Sequence, residues 1–345
     1  MYVRAILFIA SSPHFWGPPA SIRSVGGRSQ TGTDVNYLLV AKPWKGGLAG
    51  YVFSALQELF PGQAEWLFTY PVGIRETIRY RRDRQAWKER LVSQITNKKY
   101  QAVIFINHAA EFRALPYRDN HILWLTDGPK LNSEDLRPYA RVFLSDPGYE
   151  AEVKTLAKER YAGELAFAHL PSVHCPAVFA GARKGLCFIG NQDRKRDHYI
   201  DALIKAGLQP KIIGNYFLRH RLFWQRPLSF RPPIAIDRMA AVYAAHQLSL
   251  NIHAEVVRQG TNMRTFECAG YGIPQLVEYR PGIETYFEPD KEIALFHSED
   301  ELVEKAGRLL RDEKNLMSMA EQARSRAQQC HTYQHRVRRM LDGVV

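Results

Sequence analysis

The stretch from Asn251 to Pro274, NIHAEVVRQGTNMRTFECAGYGIP, carries the most chemically informative residues in the chain. An apolar strand ends near His253, a polar loop with Gln259, Gly260, Thr261 and Asn262 follows, and a helical pattern opens near Arg264. The first backbone N–H groups of a helix lack partners inside it, and the helix dipole favours negative charge there. With the Arg264 guanidinium beside them, these donors suit a diphosphate. Glu267 lies three residues further on and shares that helix face, where a carboxylate can accept both hydroxyls of a ribose. Read without context, Arg264 and Glu267 could equally pair with each other on a solvated face.

A second segment, Phe188 to Asp197 (FIGNQDRKRD), reads as a strand running into a basic loop before a helix. Gly190 lets the backbone approach a ligand. Asn191 and Arg194 are read as ligand-facing, with Arg194 and Arg196 able to neutralise a departing diphosphate; Lys195 is read as part of a solvated helix start. Such a leaving group needs a metal ion or protein cations, and no two aspartates in the chain stand as Asp-x-Asp. Protein cations and helix dipoles are therefore expected to do this work, with no metal and no resident cofactor. Cys330, His331 and His335 bring two histidines onto one helix face, but only one thiol is near and a fourth ligand is missing, so zinc is set aside.

Toward the other end, His108 follows the strand Ala102 to Ile106, and Asp127 follows the strand His121 to Leu125. Both should emerge at the carboxyl edge of a sheet, where either is a candidate general base for an acceptor hydroxyl. Gly46 and Gly47, before a helix at 48–59, would admit a phosphate or an acceptor closely, or merely form a tight turn. Ile78 to Arg90 (IRYRRDRQAWKER) is the densest basic run, with Tyr80 and Trp87 interleaved. It would suit an anionic membrane face, a lipid-diphosphate acceptor or nucleic acid, or remain a solvated helix in which Glu76, Asp83 and Glu89 partly compensate the arginines.

The elements that must position these residues alternate as short apolar runs and longer helical patterns, the signature of parallel βαβ construction. Strands are expected at 4–10, 37–40, 65–69, 102–106, 121–125, 142–144 and 166–170, and again at 185–189, 211–213, 248–252, 275–277 and 293–295. Helices are expected at 48–59, 87–96, 197–206, 239–245, 264–270, 299–311 and 315–330. A turn-rich stretch around Pro171 to Gly185 separates the two sets. The expected division is 1–178, 179–330 and a terminal stretch 331–345.

At 345 residues the chain suits two domains. Its 47 basic and 35 acidic residues give +12, which favours phosphate-bearing partners. Four cysteines without a Cys-x-x-Cys pair point to a reducing compartment with mostly buried free thiols. No run approaches the roughly 20 apolar residues of a membrane helix, so the chain is read as cytoplasmic, with membrane contact at most peripheral.

The Asn262–Pro274 pattern, Asn-x-Arg-x-Phe-Glu-x-x-x-x-Gly-x-Pro, resembles the donor-binding region of group 1 glycosyltransferases of the GT-B type, in particular their CgeB-like (spore maturation protein) branch. Tyr286-Phe287, Lys291-Glu292-Ile293, Ser298 to Leu302 and His331-Thr-Tyr-Gln-His-Arg336 follow the order of that family's ending. Trp124-Leu-Thr-Asp-Gly-Pro129, Ser145-Asp-Pro-Gly-Tyr149 and Leu170-Pro171 extend the likeness more loosely. The resemblance implies an α/β fold of two Rossmann-like domains facing a central cleft, and transfer of a sugar from a nucleotide-sugar donor to a glycan, lipid-linked or protein acceptor. It also implies that the C-terminal domain, 179–330, holds the donor and the N-terminal domain, 1–178, the acceptor, with a helix at 331–345 packing back on the N-terminal domain. Two glutamates separated by seven residues mark that site in the wider group; the second corresponds to Glu267, whereas the first position holds Gln259, which can bind hydroxyls without charge. The rival readings are a nucleotide-sugar epimerase or hydrolase on the same fold, a catalytically silent sugar-binding protein, and a basic nucleic-acid-binding module, the last disfavoured.

Overall fold

The computed structural model describes residues 35–43, 47–128, 130–177, 182–216 and 220–343. The expected strand at 4–10, Gly46, Pro129 and the expected division at 178/179 lie outside the described residues.

The first sheet is built from β1 (Tyr37–Ala41), β2 (Ala64–Phe68), β3 (Ala102–Ile106), β4 (Arg118–Leu125), β5 (Tyr139–Leu144) and β6 (Tyr161–Glu164), in the order β2-β1-β3-β4-β5-β6. Every pairing is parallel. All residues of β1 and β3 are buried, as expected for strands covered on both faces. Helices α1 (Leu48–Leu59), α2 (Ile74–Arg82), α3 (Arg84–Thr96), α4 (Ser133–Leu136) and α5 (Glu150–Ala157) make the connections. The core beneath α3 joins Trp87, Leu91 and Ile95 to Val103, Phe105 and Leu123.

The second sheet has β7 (Leu186–Ile189), β8 (Lys211–Ile213), β9 (Phe230–Arg231), β10 (Leu248–Asn251), β11 (Gln275–Glu278) and β12 (Ala294–Phe296), in the order β12-β11-β10-β7-β8-β9. It too is wholly parallel. With it come α6 (Arg194–Lys205), α7 (Met239–Ala244), α8 (Met263–Tyr271), α9 (Glu299–Leu309) and α10 (Glu313–Cys330). The fold class is the expected one: two α/β domains, each on a parallel sheet.

Among the described residues, one compact unit comprises 35–170 together with 256–261 and 331–343, and the other 171–255 and 262–330. The final helix α11 (Tyr333–Leu341) thus belongs with the first sheet. It packs on α1, with the Tyr333 and Tyr51 rings 5.6 Å apart.

Two expectations need correction. Residues 166–170 are not a strand of the sheet; its last strand is β6, and the His169 backbone pairs instead with the tail, donating to His331 O and accepting from Tyr333 N. The thiols are not mostly buried: Cys187 and Cys268 are, whereas Cys175 and Cys330 are exposed, all four free. His335 serves as the third residue of α11 in a capping box with Thr332. No helix among the described residues is long and apolar enough to cross a membrane.

Candidate donor and acceptor sites

In the second unit the loops after β7, β10 and β11 leave the carboxyl ends of three adjacent parallel strands, the edge where open α/β sheets bind ligands. Gly190 donates its N–H to Ile213 O, so the β7 and β8 chains run close together. A Cβ on Gly214, which sits at φ 146°, would lie 1.9 Å from Gly190 O, and only glycine fits there. Beyond Gly190, Asn191 is exposed and Asp193 caps α6 by accepting from Arg196 N. Arg194 is the exposed first residue of that helix. Arg196 is a bracket rather than a free cation, its guanidinium donating to Ile252 O and Asn191 O.

Lys195 departs from its reading as a solvated residue. Its Nζ lies 2.9 Å from Glu278 Oε2 at the end of β11. Glu278 is buried, accepts the His253 backbone N–H at 2.9 Å and faces Arg280 at 3.0 Å. Burial pushes the Glu278 carboxyl up, but hydrogen bonds from His253 and Lys195 and the charges of Lys195 and Arg280 outweigh it and hold it at about 2. Burial likewise lowers the His253 imidazole and the Lys195 ammonium below their ordinary values. This cluster was missed because its members are scattered from 195 to 280 and no spacing rule joins them.

Helix α8 starts as expected, with Asn262 as its cap accepting from Arg264 N. Asn262 also exchanges hydrogen bonds with Asn251 at the end of β10, so its amide fixes the helix start to the sheet. Arg264 and Glu267 do pair across the first turn. The arginine side chain keeps 25% of its exposure, but Glu267 keeps only 2% and its other oxygen lies 3.6 Å from the buried His174. The carboxylate is therefore gripped from two sides, and His174 was not anticipated.

The loop before α8 carries Gln259, Gly260 and Thr261 and belongs to the first unit. Asp146 holds it: one carboxylate oxygen accepts from Arg258 N at 2.8 Å, the other from Gln259 N at 3.0 Å and Gly148 N at 2.8 Å. The Arg258 guanidinium lies over the Tyr149 ring at 3.8 Å and pairs with Glu152. Tyr149 donates its hydroxyl to Val256 O. A Cβ on Gly148 would come within 2.3 Å of Arg258, and one on Gly128 within 2.8 Å of Val256. The motifs around Asp127-Gly128 and Asp146-Pro-Gly-Tyr149 thus have a shared physical reason, the seat of residues 256–261. Gln259 and Arg258 are exposed, Gly260 and Thr261 buried, with Gly260 at φ 68°.

At the carboxyl edge of the first sheet, β3 and β4 are neighbours and deliver His108 and Asp127 side by side. Asn107 bridges their loops, donating to Thr126 Oγ1 and Asp127 Oδ2 and accepting from Thr126 N. Asn107 and His108 both adopt positive φ, 57° and 58°, a conformation non-glycine residues hold only where surroundings impose it. His108 Nδ1 is 3.1 Å from Glu111, and its ring lies against Tyr70. Gly47, in extended conformation, precedes α1 as its cap residue, with Gly47 O accepting from Tyr51 N.

Comparison with known proteins adds a likeness to this geometry. Residues 194–342 match the glycosyl transferase-like family. The matched segment contains Arg194, α8 and the Glu278 cluster. No curated protein sequence matches the chain. Among solved structures, a glycosyltransferase from Rickettsia africae superposes with a TM-score of 0.66 at 9% identity, covering 90% of this chain and 98% of that one. Sucrose-phosphate synthase from Thermosynechococcus elongatus gives 0.64 at 11% identity, over 89% and 98% of the two chains. HepE from Anabaena, solved with UDP, gives 0.64 at 12% identity, over 89% and 99%. The architecture is that of GT-B glycosyltransferases.

Proposed function

We propose that the chain transfers a sugar from a nucleotide-sugar donor to an acceptor hydroxyl, without a metal ion, within the CgeB-like branch of the GT-B enzymes. The observation that carries this reading is the Arg264–Glu267 pair on the first turn of α8, at the carboxyl edge of a parallel sheet and inside the glycosyl transferase-like segment. In this reading the C-terminal domain holds the donor. Arg264, the exposed Arg194 and the N–H groups of the α8 start face the diphosphate, with Gly190 permitting close approach. Glu267 accepts from the ribose, a carboxylate offering about four acceptor sites. Gln259 contacts sugar hydroxyls. Catalysis then comes from stabilising the departing diphosphate with fixed cations and a helix dipole. In the acceptor domain, His108 or Asp127 takes the acceptor proton. HepE, solved with UDP, supports a uridine nucleotide as the first ligand to try.

The test is thermal shift with nucleoside diphosphates and their sugars. A ligand at a hundred times its Kd should stabilise the chain by about 2.7 kcal/mol. Glu267→Ala and Arg264→Ala should each remove that shift. A variant at Glu267 that binds as well as the unaltered chain would overturn the reading.

A further inference from the structure

The basic run plays no part in the sites above, and the structure divides it. Asp83 separates α2 from α3 and caps the latter by accepting from Ala86 N. α2 buries none of its residues. At about 100° per residue, Glu76, Thr77 and Tyr80 share one side, and these are the three half-buried ones, with Tyr80 edge-on to Trp87. The opposite side carries Ile74, Arg75, Ile78, Arg79, Arg81 and Arg82, all exposed. Ile74 is 74% and Ile78 51% exposed, and Val72, just before the helix, 53%. The nearest acids lie off this face: Glu76 is half-buried on the other side and accepts from Val72 N, while Asp83 and Glu89 follow the helix and accept from Ala86 N and Gln85 Nε2.

This face therefore holds four arginines, two bare isoleucines and no acid. Water solvates the guanidinium groups but gains nothing from the isoleucines. A nucleic acid would reward the arginines through its phosphates and leave the isoleucines idle. The boundary between anionic headgroups and acyl chains rewards both. We propose that α2 docks this face on an anionic lipid bilayer, with Ile74 and Ile78 entering the headgroup boundary and Arg75, Arg79, Arg81 and Arg82 meeting lipid phosphates.

The full chain is to be sedimented with phosphatidylcholine vesicles, with and without phosphatidylglycerol. Pelleting should require the anionic lipid. Ile74→Ser with Ile78→Ser should weaken it about ten-fold or more, and Arg79→Gln with Arg82→Gln about five-fold per arginine. Trp224→Ala with Leu228→Ala, which alters exposed apolar residues elsewhere, should leave it unchanged. In the unaltered chain, vesicles should slow hydrogen exchange of amides 74–82, a readout that does not depend on how any variant folds. Undiminished binding by the isoleucine variant, equal binding to neutral vesicles, loss in the Trp224 variant alone, or a DNA duplex that displaces the vesicles without needing the isoleucines each overturns the proposal.

Discussion

Glu278 shows how one buried carboxylate can organise a sheet edge. Its ordinary pKa would be about 4.3, and in the fold it is held at about 2. A depressed carboxyl contributes stability that is fully present above its unfolded value and lost as pH falls toward its folded one. The chain should therefore lose stability between about pH 4.5 and pH 2, and Glu278→Gln, less stable at neutral pH, should lose less over that window. Melting temperatures of the two across the range decide this, and parallel curves would remove Glu278 from the account. Because burial lowers Lys195 despite its partner, the carboxyl's depression overstates what the pair is worth. Sequence patterning made Arg264 and Glu267 legible because they sit three residues apart on one helix. Lys195 and Glu278 are 83 residues apart and meet only because β7 and β11 both flank β10.

At the scale of elements, most helices announced themselves through their periodic pattern, and the structure shows what starts them: Asp193, Asn262, Ser298 and Thr332 each accept a backbone N–H in the first turn. Elements too short to show a period, such as α4 and β9, did not. The run 166–170 is apolar enough for a strand, yet its backbone finds a partner in the tail, a competition invisible to local pattern. Loop 256–261 is a similar case, because its fold depends on Asp146, over a hundred positions away. Asp146→Ala should free the Arg258 and Gln259 amides, speed their hydrogen exchange, and cost about 1 kcal/mol, the modest figure reflecting a half-exposed site. Unchanged exchange at those two amides would show that Arg258 and its stacking on Tyr149 hold the loop alone.

At the scale of the molecule, α11 completes a core begun some 280 residues earlier. Tyr333 is fully buried, near Tyr51 and Trp124, and Arg336 donates to the carbonyls of Ala166 and Phe167. Tyr333→Ala should therefore destabilise the unit that contains the first sheet by about 3–5 kcal/mol, seen as a lower melting transition; an unshifted transition would mean that the helix is an ornament to that core. The alternation of apolar runs and helical periods by itself determined two parallel-sheet domains, since a strand buried on both faces and a one-sided helix each need their own residue rhythm. It determined the α8 start as well, where cation and carboxylate are neighbours in sequence. Only the tertiary structure decided which distant groups neutralise one another, that residues 256–261 rest on Asp146, and that Glu267 lies between Arg264 and His174. Those are contacts between residues far apart in the chain, and no local propensity encodes them.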